Sequence, residues 1–321
     1  MEYAITVKNL VKKYKKATVN AVDDLSFNVK EGAFFAFLGP NGAGKTTAIS
    51  ILTTTLSKTS GEITVAGFDI EKQSNEVRKN IGIIFQNPSL DLNLTAEENI
   101  RFHAILYNLY PYRPLFSMMP QSYKDKVMEL AEIIGIKNEL SKPVRTFSGG
   151  MKRKLEIVRS LIHNPKVLFL DEPTTGLDPA SRKNLWEYLK KVREELKTTI
   201  FLTTHYLEEA EEADEVIIIN KGKIIAQGTP KQIKEDLVEE FLNVKSRDNE
   251  GLKKELDSLH LKYKEIDGKF KISVGEKNSG EEIHQIIKKI NTPLIDIDIH
   301  LPTLEEAYLE IIHNSSENNH V

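Results

Sequence analysis

The chain has 321 residues, 40% of them hydrophobic and 28% charged, with a net charge of −3. This is enough for about two domains and gives no global electrostatic reason to hold nucleic acid. It contains no cysteine, which excludes disulfides and thiolate metal sites and suits a reducing interior.

The opening MEYAITVKNLVKKY alternates polar and apolar residues without the apolar core of a signal peptide. No apolar run approaches the roughly 18–20 residues of a membrane span, so a role at a membrane has to come through a partner. Residues 3–7 and 22–29 read as short strands, and AFFAFLG (33–39) as a buried strand ending in glycine. A helix through about Leu56 follows, then strand character at 61–70 and 80–86. From about Leu94 to Ile162 the pattern is helical. VLFLDE (167–172), TTIFLTTH (198–205) and EVIIINKGKIIAQG (215–228) are strands again, with an amphipathic helix at 181–195 between the first two. Strands separated by helices predict an α/β fold with a mainly parallel sheet and a helical insertion, at about 90–162.

The character changes after Gly228-Thr229-Pro230. A helical stretch (231–239), a strand (240–246) and a helix (252–260) lead to two short strands around Asp267-Gly268, a hairpin signal. EEIHQIIKKI sets Ile283, Ile286, Ile287 and Ile290 on one helical face. In LIDIDIHL, Ile295, Ile297, Ile299 and Leu301 alternate with Asp296, Asp298 and His300. Thr303 and Glu306 form a capping box for a last helix. The order β-α-β-β-α-β predicts a ferredoxin-like α+β domain over 230–312, after a first domain at 1–229. The closing 313–321 is expected to be disordered.

GPNGAGKT (39–46) fits G-x-x-x-x-G-K-[ST] between a strand and a helix, the context a phosphate-binding loop requires. Its glycines let backbone amides curl round phosphate oxygens; Lys45 supplies charge to the β/γ-phosphates and Thr46 a hydroxyl to Mg²⁺. VLFLDE ends in two carboxylates: Asp171 suits the metal and Glu172 suits polarising a water, although a solvated strand end or a helix cap fits the pair equally well in isolation. Gln86 and His205 also leave strand ends, where ligands bind in open parallel sheets. There Gln86 can touch the metal and the water, and His205 the γ-phosphate; for His205 alone, a plain neighbour of a helix N-cap is the simpler reading. TFSGGMKR (146–153) offers a hydroxyl and bare amides at a helix start, a second and incomplete anion cradle.

GPNGAGKTT, the glutamine after a strand, FSGGM, VLFLDEP, GLDP (176–179) and His205, in that order, resemble the ATP-binding cassette (ABC) ATPases over about residues 3–228. FQNPSLDLNLTAEENI, the run from SGGMKRK to GLDP and the closing LPTLEEAYLEII are similar to the daunorubicin-resistance type of drug and sodium exporter ATPases. Phe147 and Met151 depart from the commoner LSGGQ, and the methionine is usual in that subfamily. The resemblance implies a P-loop fold with an antiparallel β subdomain. It implies ATP and Mg²⁺ as cofactors, with Tyr14 stacking on adenine and Gly39, Pro40, Asn41, Gly42, Ala43, Gly44, Lys45, Thr46 and Thr47 round the phosphates. It makes Thr46, Gln86 and Asp171 the metal set, Glu172 the catalytic carboxylate and His205 the switch histidine. Ser148, Gly149 and Gly150 would complete the site of a second copy, with Asp178 in the loop that crosses between subunits. The implied assembly is a head-to-tail homodimer with two shared ATP sites, acting on a separate membrane permease at the cytoplasmic face.

Two rivals follow from the same residues. One is an ABC ATPase that acts on nucleic acid or ribosomes, but such proteins usually carry two cassettes, a long coiled coil or zinc cysteines. The other is a GTPase: NKGK (220–223) resembles a guanine reader, yet Lys223 stands where that motif needs aspartate, and a hairpin turn fits better. YNLYPYRPLFSMMP (107–120) is either a loop packed on its own helices or a contact for the permease.

Overall fold

The structure, a computed structural model, describes residues 2–235, 240–266, 268–274, 279–300 and 303–317. The chain divides into two compact units, 1–227 and 228–321.

In chain order the first unit contains β1 (Tyr3–Lys12), β2 (Val22–Lys30), β3 (Phe34–Leu38), α1 (Lys45–Leu52), β4 (Ser60–Val65), β5 (Phe68–Asp69), α2 (Ser74–Asn80), β6 (Ile81–Ile84), α3 (Ala96–Leu106), α4 (Gln121–Ile134) and α5 (Gly149–Leu161). It continues with β7 (Val167–Asp171), α6 (Pro179–Leu196), β8 (Thr199–Thr204), α7 (Leu207–Ala210), β9 (Glu215–Asn220) and β10 (Lys223–Gly228). One sheet runs β10-β9-β3-β8-β7-β6, with β6, β7, β8, β3 and β9 parallel. A second, antiparallel sheet runs β2-β1-β4-β5.

The unbroken apolar runs of β3, β7 and β8 follow from burial on both faces of the parallel sheet. Phe35, Phe37, Phe169 and Phe201 face the antiparallel sheet and α1, and Phe27 from β2 joins the rings of Phe35, Phe37 and Phe201 at centroid separations of 5.7–6.3 Å. Phe34, Leu168, Leu170, Ile200 and Leu202 face the opposite core, shared with α3, α4, α5 and α6. The alternation along β7 thus assigns each neighbour to a different layer. β8 lies between β3 and β7, so it separates the strand before the glycine loop from the strand ending in Asp171. All these strands are parallel, so their C-terminal ends open on one edge, where the loops gather.

Residues 220–223 are the β9–β10 turn, with Lys221 and Gly222 at φ +47 and +81, and Lys223 is 3.4 Å from Asp23. NKGK is therefore a hairpin turn, and its lysine is occupied within the fold. The 107–120 stretch divides its side chains. Tyr110 and Phe116 set their rings edge-on to buried Tyr123, Met119 is buried, and buried Arg101 donates to the Arg113 carbonyl at 2.9 Å. Leu109, Tyr112, Leu115 and Met118 are exposed.

The second unit contains α8 (Pro230–Glu235), β11 (Glu240–Ser246), α9 (Asn249–Ser258), β12 (Tyr263–Ile266), β13 (Lys269–Val274), α10 (Ser279–Lys289), β14 (Leu294–His300) and α11 (Leu304–Glu317). Its antiparallel sheet has the order β12-β13-β11-β14, as a ferredoxin-like fold requires. Leu242, Val244, Phe270 and Ile272 pack under Leu252 and Leu256 of α9 and Ile283 and Ile286 of α10. The Thr303–Glu306 capping box is present: the Thr303 amide donates to Glu306 at 3.0 Å and the Glu306 amide to Thr303 Oγ1 at 3.2 Å. The expectation of a disordered 313–321 is corrected at 313–317, where α11 continues; a capped start and the apolar face through Ile311 carry the helix onward. Residues 318–321, Asp267 of the hairpin signal and Leu301 lie outside the described residues. Among the described residues no helix is long and apolar enough to cross a membrane.

Candidate functional site

The glycine loop leaves β3 and enters α1 by close backbone contact. A Cβ on Gly39 would meet the Ile219 carbonyl oxygen at 2.5 Å. Gly44, at φ +108, would bring one within 2.5 Å of the Ala21 carbonyl oxygen, so only glycine fits both conformation and space. The loop and the start of α1 line a cleft with Ala21, Pro40, Asn41, Lys45, Thr46 and Glu172 on its walls. Lys45 is buried in this cleft; its Nζ donates to the Gly39 carbonyl at 2.7 Å and lies 3.5 Å from Glu172 Oε1. Tyr14 stands beside the loop, half exposed, its hydroxyl 3.3 Å from Thr47 Oγ1.

Asp171 ends β7 and Thr203 lies opposite it on β8. Thr203 Oγ1 donates to Asp171 Oδ1 at 2.5 Å, which leaves Oδ2 for another partner. Burial pushes the Asp171 carboxyl above its ordinary range, with Glu172 acting in the same direction, while the Thr203 hydroxyl and Lys45 oppose this. Glu172 adopts φ +45, a left-handed backbone that a non-glycine residue rarely takes, and is held there by its amide, which donates to the Thr203 carbonyl at 3.0 Å. Its Oε2 accepts from Gln86 Nε2 at 3.3 Å, and His205 Nδ1 stands at the same distance. The structure therefore brings Lys45, Gln86, Asp171, Glu172 and His205 to one place from four different segments.

Thr46 hydroxyl, the Asp171 carboxylate and the amide oxygen of Gln86 are the donors near this cleft. All are hard oxygens of the kind Mg²⁺ prefers, and Gln86 donates through Nε2, which leaves its oxygen free to coordinate. Among the described residues no group of three His, Cys, Asp or Glu side chains could hold a metal.

Ser148 caps α5, its Oγ accepting from the Met151 amide at 3.2 Å. With Gly150 it lines a different cleft, together with Met151, Leu177 and Ser181. Asp178 caps α6 beside it, accepting from the Ser181 amide at 2.9 Å and hydroxyl at 2.5 Å, and these bonds hold its carboxyl below the usual range. No residue lines both clefts. Ser148 and Gly150 thus line a cleft different from the one lined by the phosphate loop of their own chain.

Three groups were not read from the sequence. Ala21 walls the cleft through its backbone, which no side-chain pattern reveals. Thr203 orients Asp171. Buried Arg153 donates to the Phe85 carbonyl at 2.7 Å and the Gln86 carbonyl at 3.0 Å and pairs with Glu156 at 2.8 Å; Glu156 in turn accepts from the Ser89 amide. Arg159 adds bonds to the Ser89 carbonyl and hydroxyl, both at 2.6 Å. The helix that begins at Ser148 therefore grips the loop that carries Gln86. The available signal was three charges at helical spacing on an otherwise buried face.

A glycine loop, a strand-end carboxylate pair and an interposed strand β8 define a P-loop nucleotide hydrolase, and the capped SGG segment narrows the class to ATP-binding cassettes. Comparison with known proteins agrees. The ABC transporter family pattern matches residues 22–175. The daunorubicin resistance ATP-binding protein DrrA3 of Streptomyces coeruleorubidus is 34% identical over 96% of this chain and 95% of its own. The daunorubicin/doxorubicin resistance ATP-binding protein DrrA of Streptomyces peucetius is 37% identical over 76% and 71%. Among solved structures, cbiO1 of Clostridium perfringens superposes with a TM-score of 0.65 at 30% identity, covering 73% of this chain and 91% of that one. The ATP-binding cassette MJ0796, solved as a dimer bound to ADP and Pi, gives 0.61 at 27% identity, covering 70% and 98%. The chain belongs to the ABC transporter ATP-binding proteins, in the daunorubicin-resistance group, and is an ATPase.

Proposed function

We propose that this chain powers a membrane exporter by closing head to tail on a second copy around two ATP molecules. The observation that carries this reading is the separation of the two clefts: one holds a complete phosphate loop, the other a capped helix start with no phosphate loop of its own. A C₂ pairing places each beside the other's complement and makes both sites identical. MJ0796, solved as a dimer bound to ADP and Pi, supports the pairing of two cassettes.

At each site Tyr14 would stack on adenine, and Lys45 with the backbone N–H groups of residues 39 and 41–47 would hold the phosphates. Thr46, Gln86 and Asp171 would hold Mg²⁺, which supplies charge neutralisation across the β- and γ-phosphates. Water, oriented by Glu172 and Gln86, attacks the γ-phosphorus in line with the bridging oxygen. That bond breaks to ADP, and Glu172 accepts the water's proton. His205, beside Glu172, donates to a γ-phosphate oxygen. Lys45 and the second copy's signature segment stabilise the developing charge.

The moved partner would be a separately encoded permease, which makes the chain peripheral at the cytoplasmic face. The names of the relatives, resistance proteins for daunorubicin, doxorubicin and linearmycin, support export. Phe102 and Leu106 of α3 and Tyr112, Leu115 and Met118 in the segment after it are exposed, and exposed large apolar side chains suit a protein partner. We assign this face to the permease.

Glu172→Gln tests the reading. It keeps shape and hydrogen bonding but removes the base, so turnover should fall by roughly 10²–10⁴-fold, and gel filtration with Mg-ATP should trap an ATP-bound dimer. Hydrolysis at the normal rate would remove Glu172 from the mechanism.

A further inference from the structure

The helix after His205 carries a carboxylate that no step above uses. Glu209 is 2% exposed, and the two threonines it meets, Thr174 and Thr204, are both 0% exposed. Thr204 Oγ1 donates to Glu209 Oε2 at 2.6 Å, and Thr174 Oγ1 donates to Glu209 Oε1. Thr204 Oγ1 also accepts the Tyr206 amide at 2.9 Å, so its one proton is committed to Glu209. Arg182 stacks on Tyr206 at 4.3 Å, and the Tyr206 ring lies 4.1 Å from that of His205.

Thr204 immediately precedes His205, and Thr174 lies two residues beyond Glu172. The contacts close a ring: Glu172 to His205 across 3.3 Å, His205 to Thr204 along the chain, Thr204 to Thr174 through Glu209, and Thr174 back to Glu172 along the chain. We propose that Glu209 is a positioning residue for ATP hydrolysis, fixing the separation of Glu172 and His205 by receiving one hydroxyl from each of their loops. The proposal rests on the roles given above to Glu172 and His205.

Chemistry explains why a carboxylate is needed. Both threonines donate, and an ionised carboxylate is an acceptor at both oxygens. A glutamine would present one acceptor and one NH₂, so one of the two threonines would have to turn from donor to acceptor and lose this partner for its proton. Burial raises the Glu209 carboxyl above its ordinary range, against the opposing threonine hydroxyls and then the charges of Arg182 and His205.

The test separates position from stability. In the full chain, Glu209→Gln should lower kcat by roughly 10–100-fold, as expected when catalytic groups drift by about 1 Å. The KM for ATP and the ATP-dependent dimer should stay within about threefold, because the phosphate loop is untouched. Thr204→Val, which keeps the shape and loses the hydroxyl, should reproduce the kcat loss, and Thr204→Ser should rescue most of it. That pair carries the test if Glu209→Gln fails to fold. A normal kcat in folded Glu209→Gln or Thr204→Val, beside an inactive Glu172→Gln, overturns the proposal and spares the site assignment. An active Glu172→Gln sinks the assignment beneath it. Equal losses in melting temperature, nucleotide binding and kcat, with no rescue by serine, would make Glu209 a scaffold residue only and also overturn the proposal.

Discussion

Tyr14 and Glu172 illustrate how single residues are fixed by what lies across from them. Tyr14 precedes β2 and could have packed on the strand beneath it, yet it is 44% exposed and its hydroxyl reaches Thr47. An aromatic face open to solvent beside a phosphate loop suits stacking, which reads a π-surface and no base edge. Tyr14→Ala should therefore weaken ATP and GTP alike, by about 1–3 kcal/mol if the loss matches base–aromatic contacts in nucleic-acid sites. Equilibrium binding with fluorescent analogues of both nucleotides checks this, and unchanged affinity in a folded mutant returns Tyr14 to the strand. Glu172 takes a left-handed backbone that costs of order 1–3 kcal/mol, and its amide bond to Thr203 maintains it. Lys45 could be picked out from its spacing to the loop glycines, and Asp171 and Glu172 as candidates only because that loop is present, since the pair by itself fits a solvated strand end equally well. The left-handed turn at Glu172 and the roles of Thr203 and Glu209 were not legible. A glutamate in LEEAEEAD reads as solvated surface until α7 folds it against two buried threonines.

The element that links most of the site is α5. It starts at Ser148, and its Arg153 and Glu156 lie almost fully buried against the Gln86 loop. Desolvation pushes the Glu156 carboxyl up and the Arg153 guanidinium down, so each depends on the other for its charge. Arg153→Met strands the glutamate and should cost about 3–5 kcal/mol. Arg153→Met/Glu156→Met should recover much of that stability in urea melts, while ATPase activity stays low because the Phe85 and Gln86 carbonyls have lost their donor. Full activity in the double variant would detach α5 from the Gln86 loop. Nearby, His103 packs against Tyr107 and His163 at centroid distances of 4.6 and 6.0 Å. Burial first, then the charges of Arg159 and His163, push its pKa down to about 3, and His163 shifts the same way by burial. The unfolded chain, with histidine near 6.5, then binds the extra proton between about pH 3 and 6.5. His103 therefore costs stability as pH falls below 6.5, by up to about 1.4 kcal/mol per pH unit. His103→Gln should shrink the drop in melting temperature between pH 7 and pH 5; an unchanged drop removes His103 from the account. These elements were legible as helices from periodicity, but their polar partners were not, because such contacts join residues 67–70 positions apart. β14 gives the converse case: its alternation was plain, yet Ile295, Ile297 and Ile299 remain 47–52% exposed because β14 is an edge strand.

At the scale of the molecule, the order of motifs foretold one cassette followed by a ferredoxin-like unit, because βα alternation and β-α-β-β-α-β each admit few topologies. A sequence cannot say whether SGG serves its own loop or another chain's, since only folded distance separates the two. The structure puts Ser148 and Lys45 on different clefts of one chain, and this makes a mixing experiment decisive. Lys45→Ala breaks the phosphate loop and keeps the signature; Ser148→Arg blocks the signature and keeps the loop. Each homodimer should be dead, because both of its sites carry one defect. In a mixed dimer with shared sites, one site joins the intact loop of the Ser148→Arg chain to the intact signature of the Lys45→Ala chain, and the other collects both defects. Random pairing at equal concentrations makes half the dimers mixed and so restores about one quarter of the sites. ATP-dependent dimerisation, measured by cross-linking differently tagged chains, should appear only in the mixture. Hydrolysis is a weaker readout if both sites must turn over together. Were Ser148 to serve its own chain's loop, every site in every mixture would stay broken. A mixture that fails to dimerise with ATP, where wild type succeeds under the same conditions, would rule out shared sites and with them the proposed head-to-tail closure.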